Sequence, residues 1–178
     1  MTGKERRFHI ISVRDFSLLL SKIHGADPFK VELAALSHDM FRDVPPKKLL
    51  RMAEVWGLDV EDVERKHPVL LHGKIAGEFL RRRFGFEDEE VILAVSFHTS
   101  GHPKFNKIGK ILTVADTVAY DRDFPGVDEL RSVAFRDLER AYFEVIRERI
   151  VYALMSGRYV LKKSMETWNE LVDGRESR

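Results

Sequence analysis

His38 and Asp39 stand side by side, directly after an apolar run of Val31, Leu33, Ala34, Ala35 and Leu36. An imidazole and a carboxylate at the end of a core-facing segment suit metal ligation or acid–base work. Four more such side chains share a helical face with apolar residues. His9 goes with Val13, Phe16 and Leu20, and His72 with Ile75, Ala76 and Phe79. His98 goes with Val91, Ala94 and Val95, and Asp116 with Ile108, Leu112 and Thr113. Burying any one of these without a partner costs several kcal/mol, and a carboxylate costs more. A lone core histidine is ordinarily satisfied by a backbone carbonyl, but this whole set would need a separate partner for each group. A shared cationic centre satisfies them together. Six ligands exceed what one ion takes from protein when water must also bind. Two metals bridged by a carboxylate, roughly 3.5–4 Å apart, is the economical arrangement, with Asp39 as the bridge. Imidazole and carboxylate without thiolate suit Fe, Mn, Zn, Ni or Co rather than Ca²⁺ or Mg²⁺ alone.

The elements that must position these groups have helical periodicity. Helices are predicted over residues 5–23, from Asp27-Pro28 to about Met40, and from Pro45-Pro46 to Trp56, with Gly57 as a stop. A short turn starts at Asp59 and Asp62, and further helices span roughly 70–84, 88–98, 105–120, 128–156 and 163–172. No alternating strand pattern with a hairpin turn occurs, so the expected fold class is all-α. Without a repeat, low-complexity tract or composition break, the 178 residues read as a single domain.

The composition, 44% hydrophobic and 33% charged, places the chain in the globular class. A net charge of +1 gives no global reason to expect a nucleic-acid partner. The absence of cysteine excludes disulfides and thiolate metal sites. The charged start MTGKERRFHI lacks the pattern of a signal peptide, and no apolar run approaches the ~20 residues of a membrane span. The expectation is a cytoplasmic protein without a membrane partner. A homodimer is left open.

The order His9, His38-Asp39, Asp116 resembles the HD-domain phosphohydrolase superfamily. Longer stretches resemble its YqeK family: Arg6-x-x-His9-x-x-x-Val13, LSHDMFRDVP, LLHGKIAGE with His72, FHTSGHP with His98 and Thr99, KILTVAD with Asp116, and RDFPGVDELR from Arg122 to Arg131. The similarity runs from about residue 6 to 169. It implies an HD-domain helical bundle with a di-iron centre that hydrolyses diadenosine tetraphosphate symmetrically to two ADP. Iron is the expected metal, with Mn, Ni, Co or Zn as alternatives.

Carried over by position, the ligands are His9, His38, Asp39, His72, His98 and Asp116. Asp39 and Asp116 would also hold the attacking water, acidified by the metals, in line with phosphorus. Thr99, Lys110 and Arg122 match positions near the nucleotide phosphates, and Tyr159, Leu161 and Ser164 lie where the family places a loop against the nucleotide. Arg42 stands in a usual lysine position and His102 in a usual arginine position; both are candidates to neutralise the phosphate chain. Ala119-Tyr120 replaces a usual Glu-Pro, Gly109 an acid, and Leu161-Lys162 a His-Pro. These departures bear on the substrate rather than on the metals. The alternatives are another HD-type nucleotide hydrolase, acting on monophosphates, guanosine polyphosphates or cyclic nucleotides, and a non-catalytic metal- and nucleotide-binding module.

Overall fold

A computed structural model describes residues 3–176, and every regular element among them is helical. Helix α1 (Lys4–His24) ends at Gly25, whose N–H closes back on the Ser21 carbonyl. Helix α2 (Pro28–Ser37) starts where the Asp27 carboxylate accepts the backbone N–H groups of Phe29 and Lys30 and Pro28 presets the first turn. It stops at Ser37, three residues short of the expected Met40. His38 and Asp39 therefore sit in the tight turns that follow it.

Helix α3 (Pro46–Trp56) and the short α4 (Asp62–Lys66) form a side layer. The reciprocal box between Glu61 and Glu64 caps α4. The expected helix over 70–84 opens as a 3-10 turn, Pro68–Leu71, and becomes α5 at His72–Phe84. Asp88 caps α6 (Glu89–Phe97), and Asn106 caps α7 (Lys107–Val118). The expected helix over 128–156 is two helices, α8 (Val127–Arg136) and α9 (Leu138–Met155). Asp137 breaks it: its backbone is extended and its side chain accepts the Arg140 N–H, a cap that competes with continued helix. Helix α10 (Lys162–Glu176) closes the chain.

Helix α7 lies at the centre, against α1, α2, α6, α8 and α9. Its Ile111, Val114, Ala115 and Val118 are fully buried and pack in one cluster with Val13, Phe16 and Leu20 of α1, Val31 and Ala34 of α2, and Tyr142 and Val145 of α9. Each such large aliphatic or aromatic side chain contributes about 1.5–3 kcal/mol by leaving water. A smaller cluster of Leu49, Ala53, Leu71 and Ile75 ties α3 to α5.

Helices α5 and α6 approach unusually closely at Gly73. A Cβ there would lie 2.8 Å from the Val95 carbonyl oxygen and 3.3 Å from Cε1 of His98. After α6 the chain turns through Gly101 at φ 73°, where a Cβ would lie 2.7 Å from the Tyr142 hydroxyl. Small residues at these two points allow the end of α6 to reach the core.

Candidate functional site

The six groups singled out in the sequence meet at one place. His9 and Asp116 project from within α1 and α7, while His38, His72 and His98 each occupy a helix end. Those three share a local geometry: each Nδ1 donates to the carbonyl three residues back, Ala35 (2.7 Å), Val69 (2.6 Å) and Val95 (2.8 Å) respectively. His9 Nδ1 instead donates to Asp121 Oδ2 at 2.7 Å. With Nδ1 committed, all four imidazoles present a bare Nε2 to the cluster, the tautomer that a metal takes.

Asp39 divides the cluster. Its Oδ2 lies 3.9 Å from His9 Nε2 and 3.7 Å from His38 Nε2, while its Oδ1 lies 3.1 Å from His72 Nε2 and 3.7 Å from His98 Nε2. Asp116 Oδ1 adds to the first pair, 3.2 Å from His9 Nε2 and 3.8 Å from His38 Nε2. His9, His38 and Asp116 offer ligand atoms within 4.8 Å of one another, and so do His38, Asp39 and His98. These two groups share His38, while Asp39 faces both histidine pairs through its two oxygens, which sets out two half-sites.

The protonation states of Asp39, Asp116, His38 and His72 suit ligation. Burial works to raise the Asp39 pKa, but the His72 and His98 imidazoles outweigh it and hold the carboxyl well below its usual range. Burial likewise opposes ionisation of Asp116, and His9 and Arg149 outweigh it. Burial lowers the His38 pKa to about 4 and lowers that of His72, so both are neutral near pH 7. Burial also disfavours charge on His9, yet its hydrogen bonds to Asp116 and Asp121 raise its pKa. His38 Nε2 is fully buried and has no hydrogen-bond partner among the described residues. Such an orphan costs about 1–3 kcal/mol, and a cation held between His38, His9 and the two carboxylates would satisfy it. The donor set fits a divalent transition metal.

A cavity of about 690 Å³ opens beside Asp116 and Thr99 and is walled on its far side by Tyr159, Leu161 and Ser164. The structure thus brings four of the seven residues expected at the nucleotide to the cluster and its cavity. Arg122 is a fifth: its Nη2 donates to Asp116 Oδ1 at 3.0 Å. His102 and Lys110 go elsewhere. They line a separate groove with Glu139 and Arg175, where Lys110 Nζ meets both Glu139 carboxylate oxygens at 2.8 Å. The His102 ring packs against Phe97. Arg42 lies one turn past Asp39, donating its backbone N–H to the Asp39 carbonyl.

Three further residues reach the cluster, Arg6 having been quoted above only as part of the stretch before His9 and the other two not at all. Arg6 pairs with Asp39 Oδ2, and its signal was its place one helical turn before His9. Arg149 donates to Asp116 Oδ2 at 3.0 Å. It follows Val145 and Ile146 on the apolar face of α9, where a charge needs an explanation. Asp121 had no signal, because its contact with His9 spans 112 residues.

The arrangement is a helical scaffold with a metal-competent His/Asp cluster, and sequence comparison gives its class. The HD domain family model matches residues 6–121. The symmetrical bis(5'-nucleosyl)-tetraphosphatase of Halalkalibacterium halodurans is 34% identical over 171 residues, covering 94% of this chain and 90% of that protein. The enzyme of the same name from Bacillus subtilis is 30% identical, covering 96% and 91%. A crystal structure of a predicted HD superfamily hydrolase involved in NAD metabolism, from Clostridium acetobutylicum, superposes with a TM-score of 0.91 at 30% identity, over 96% of this chain and 90% of that one. The chain belongs to the HD domain family, on the branch that carries these tetraphosphatases.

Proposed function

We propose that this protein is a metal-dependent hydrolase that cleaves dinucleoside tetraphosphates symmetrically, diadenosine tetraphosphate giving two ADP. The observation that carries this reading is Asp39, whose two oxygens face different histidine pairs beside a cavity large enough for a nucleotide. The names of its relatives supply the substrate class. On this reading His9, His38, Asp39, His72, His98 and Asp116 hold two metal ions, iron being the expected metal. Bound metals supply Lewis acidity toward phosphate oxygens and acidify water.

The protein's own residues do the rest. Asp39 and Asp116, held ionised, keep the site anionic enough to retain cations. Arg122 is the cation for the phosphate chain, held by its Nε–H on the Asp116 carbonyl. Its Nη2 rests on Asp116 and His9, while Nη1 has no protein partner among the described residues. Arg6, a quarter exposed, adds positive charge at Asp39. The Thr99 hydroxyl, 3.3 Å from His98 Nε2, stands at the cavity's entrance to the cluster. Tyr159 and Leu161 give apolar walls for a nucleoside.

The test is metal content of freshly purified protein, then ADP release from diadenosine tetraphosphate after anaerobic iron loading. Asp39→Ala is the control. The expected result is about two metals per chain and ADP as sole product, both lost in the variant. Metal-free wild-type protein after loading would overturn the reading. The Clostridium neighbour's description makes NAD a necessary member of the substrate panel, alongside mononucleotides and cyclic nucleotides. Turnover of one of these in place of the tetraphosphate would move the substrate assignment and leave the metal site standing.

A further inference from the structure

Arg149 carries a role that reaches beyond simple ion pairing. It sits on α9, outside the helices that supply the cluster, yet its guanidinium is spread across both halves of the site. Nη1 donates to the carbonyls of His98 and of Thr99, the latter at 2.9 Å. Nη2 donates to Asp116 Oδ2 (3.0 Å), Thr117 Oγ1 (2.7 Å) and the Thr113 carbonyl (3.2 Å).

Arginine near a phosphate-sized cavity invites the reading of a phosphate ligand. The hydrogen-bond inventory argues otherwise. A guanidinium has two N–H groups on each terminal nitrogen. Nη1 has two acceptors and Nη2 has three, so a substrate oxygen would have to displace a protein partner from either, and only Nε–H is left for a ligand in the cavity that Arg149 lines. Arg122, in contrast, keeps Nη1 uncommitted.

We propose that Arg149 is a positioning residue that sets the geometry of the binuclear centre. By engaging Asp116 Oδ2 it turns Oδ1, which also accepts from Arg122 Nη2, toward His9 and His38 as the oxygen that would face a metal. By gripping the carbonyls of His98 and Thr99 with the same planar group, it fixes the end of α6, and hence the His98 ring, at a set distance from Asp116 on α7. One rigid fork thus links a ligand of the first half-site to a ligand of the second. Lysine, a point charge on a flexible stem, cannot hold both at once. The inference rests on the two-metal reading above.

The experiment compares wild-type, Arg149→Lys and Thr117→Val proteins. Metal affinity is read by chelator competition, the fold by circular dichroism, and kcat and KM separately. Thr117→Val removes one acceptor of Arg149 while leaving every charge and ligand in place. A positioning role gives Arg149→Lys at least a tenfold loss of affinity for one metal, with kcat falling and KM little changed. Thr117→Val then shows a smaller loss, a few-fold, in the same direction. Raised KM at unchanged metal affinity in Arg149→Lys would overturn the proposal and make Arg149 a phosphate ligand. Unchanged affinity in both variants would also overturn it. If Arg149→Lys does not fold, Thr117→Val decides alone by the same criterion. Wild-type protein that takes up no metal would defeat the two-metal reading itself, a failure visible before either variant is measured.

Discussion

Each of the four histidines offers Nε2 to the cluster because its Nδ1 has a partner elsewhere. Three of those partners are backbone carbonyls fixed by helix geometry, but the fourth is a carboxylate. A hydrogen-bonded carboxylate makes an imidazole a stronger donor, so His9 depends most on a replaceable side chain. Asp121→Ala is expected to weaken metal binding about tenfold or more, measured by chelator competition, with an unchanged circular dichroism spectrum. The arginines and lysines separate by location. Arg122→Ala removes a cation that touches the cluster and is expected to lower kcat/KM on the order of 10²-fold. Lys110→Ala and His102→Ala act in a different groove and are expected to stay within a few-fold of wild type. Steady-state kinetics on the three variants checks both statements, and a Lys110 effect as large as that of Arg122 would contradict the placement.

Element positions matter because His38, His72 and His98 sit at the ends of helices, where a small shift of a helix moves a ring. Gly73 lets α5 approach α6 one residue after His72 and within reach of His98. Gly73→Ala would press a methyl group against the Val95 and Ser96 carbonyls, at 2.8 and 2.9 Å. The expected cost is about 1–3 kcal/mol in denaturant unfolding, together with weaker metal binding, since the neighbour that must yield is backbone next to His98. A stable Gly73→Ala protein with full metal affinity would show that the contact relaxes elsewhere. At the other end of α6, Asp88 caps the helix and pairs with Lys30. Burial nudges its pKa up, but Lys30 and the Val91 and Glu90 N–H groups outweigh it and leave it below the usual 3.8. A depressed folded-state pKa gives stability that is complete above 3.8 and fades as pH falls through the lower folded value. Asp88→Ala should therefore lose about 1 kcal/mol at neutral pH, and its deficit should shrink in acid, as urea midpoints at both pH values would report.

At the scale of the molecule, α1, α2, α5, α6 and α7 all deliver a group to one point, so whatever occupies it ties the core helices together. Metal bound to the folded state alone stabilises it by about 4 kcal/mol at a thousandfold excess over Kd. For a chain of this size that corresponds to a Tm shift on the order of 10 °C. Stripping metal with a chelator should lower Tm by that amount, and adding back the metal should restore it. Equal Tm values with and without metal would mean that the helices hold the cluster unaided. No helix among the described residues is long and apolar enough to cross a membrane.

Composition, periodicity and spacing were enough to read an all-α chain, most helix limits, and the six side chains that converge. The reason is physical: a histidine or aspartate on an apolar helical face must find a partner, and several such faces imply a common one. Two things were decided only by tertiary structure, and a third, the helix break, was local but not read. The break at Asp137 depended on a single side chain choosing to cap rather than continue a helix. The separation of Lys110 and His102 from Thr99 and Arg122 depended on packing, which opens one cavity beside Asp116 and a second groove between α9 and α10. The supporting contacts of Asp121 and Arg149 join residues 112 and 33 positions apart from their partners. Local pattern shows that a group must be satisfied, but only the packing of distant helices determines which atom does it.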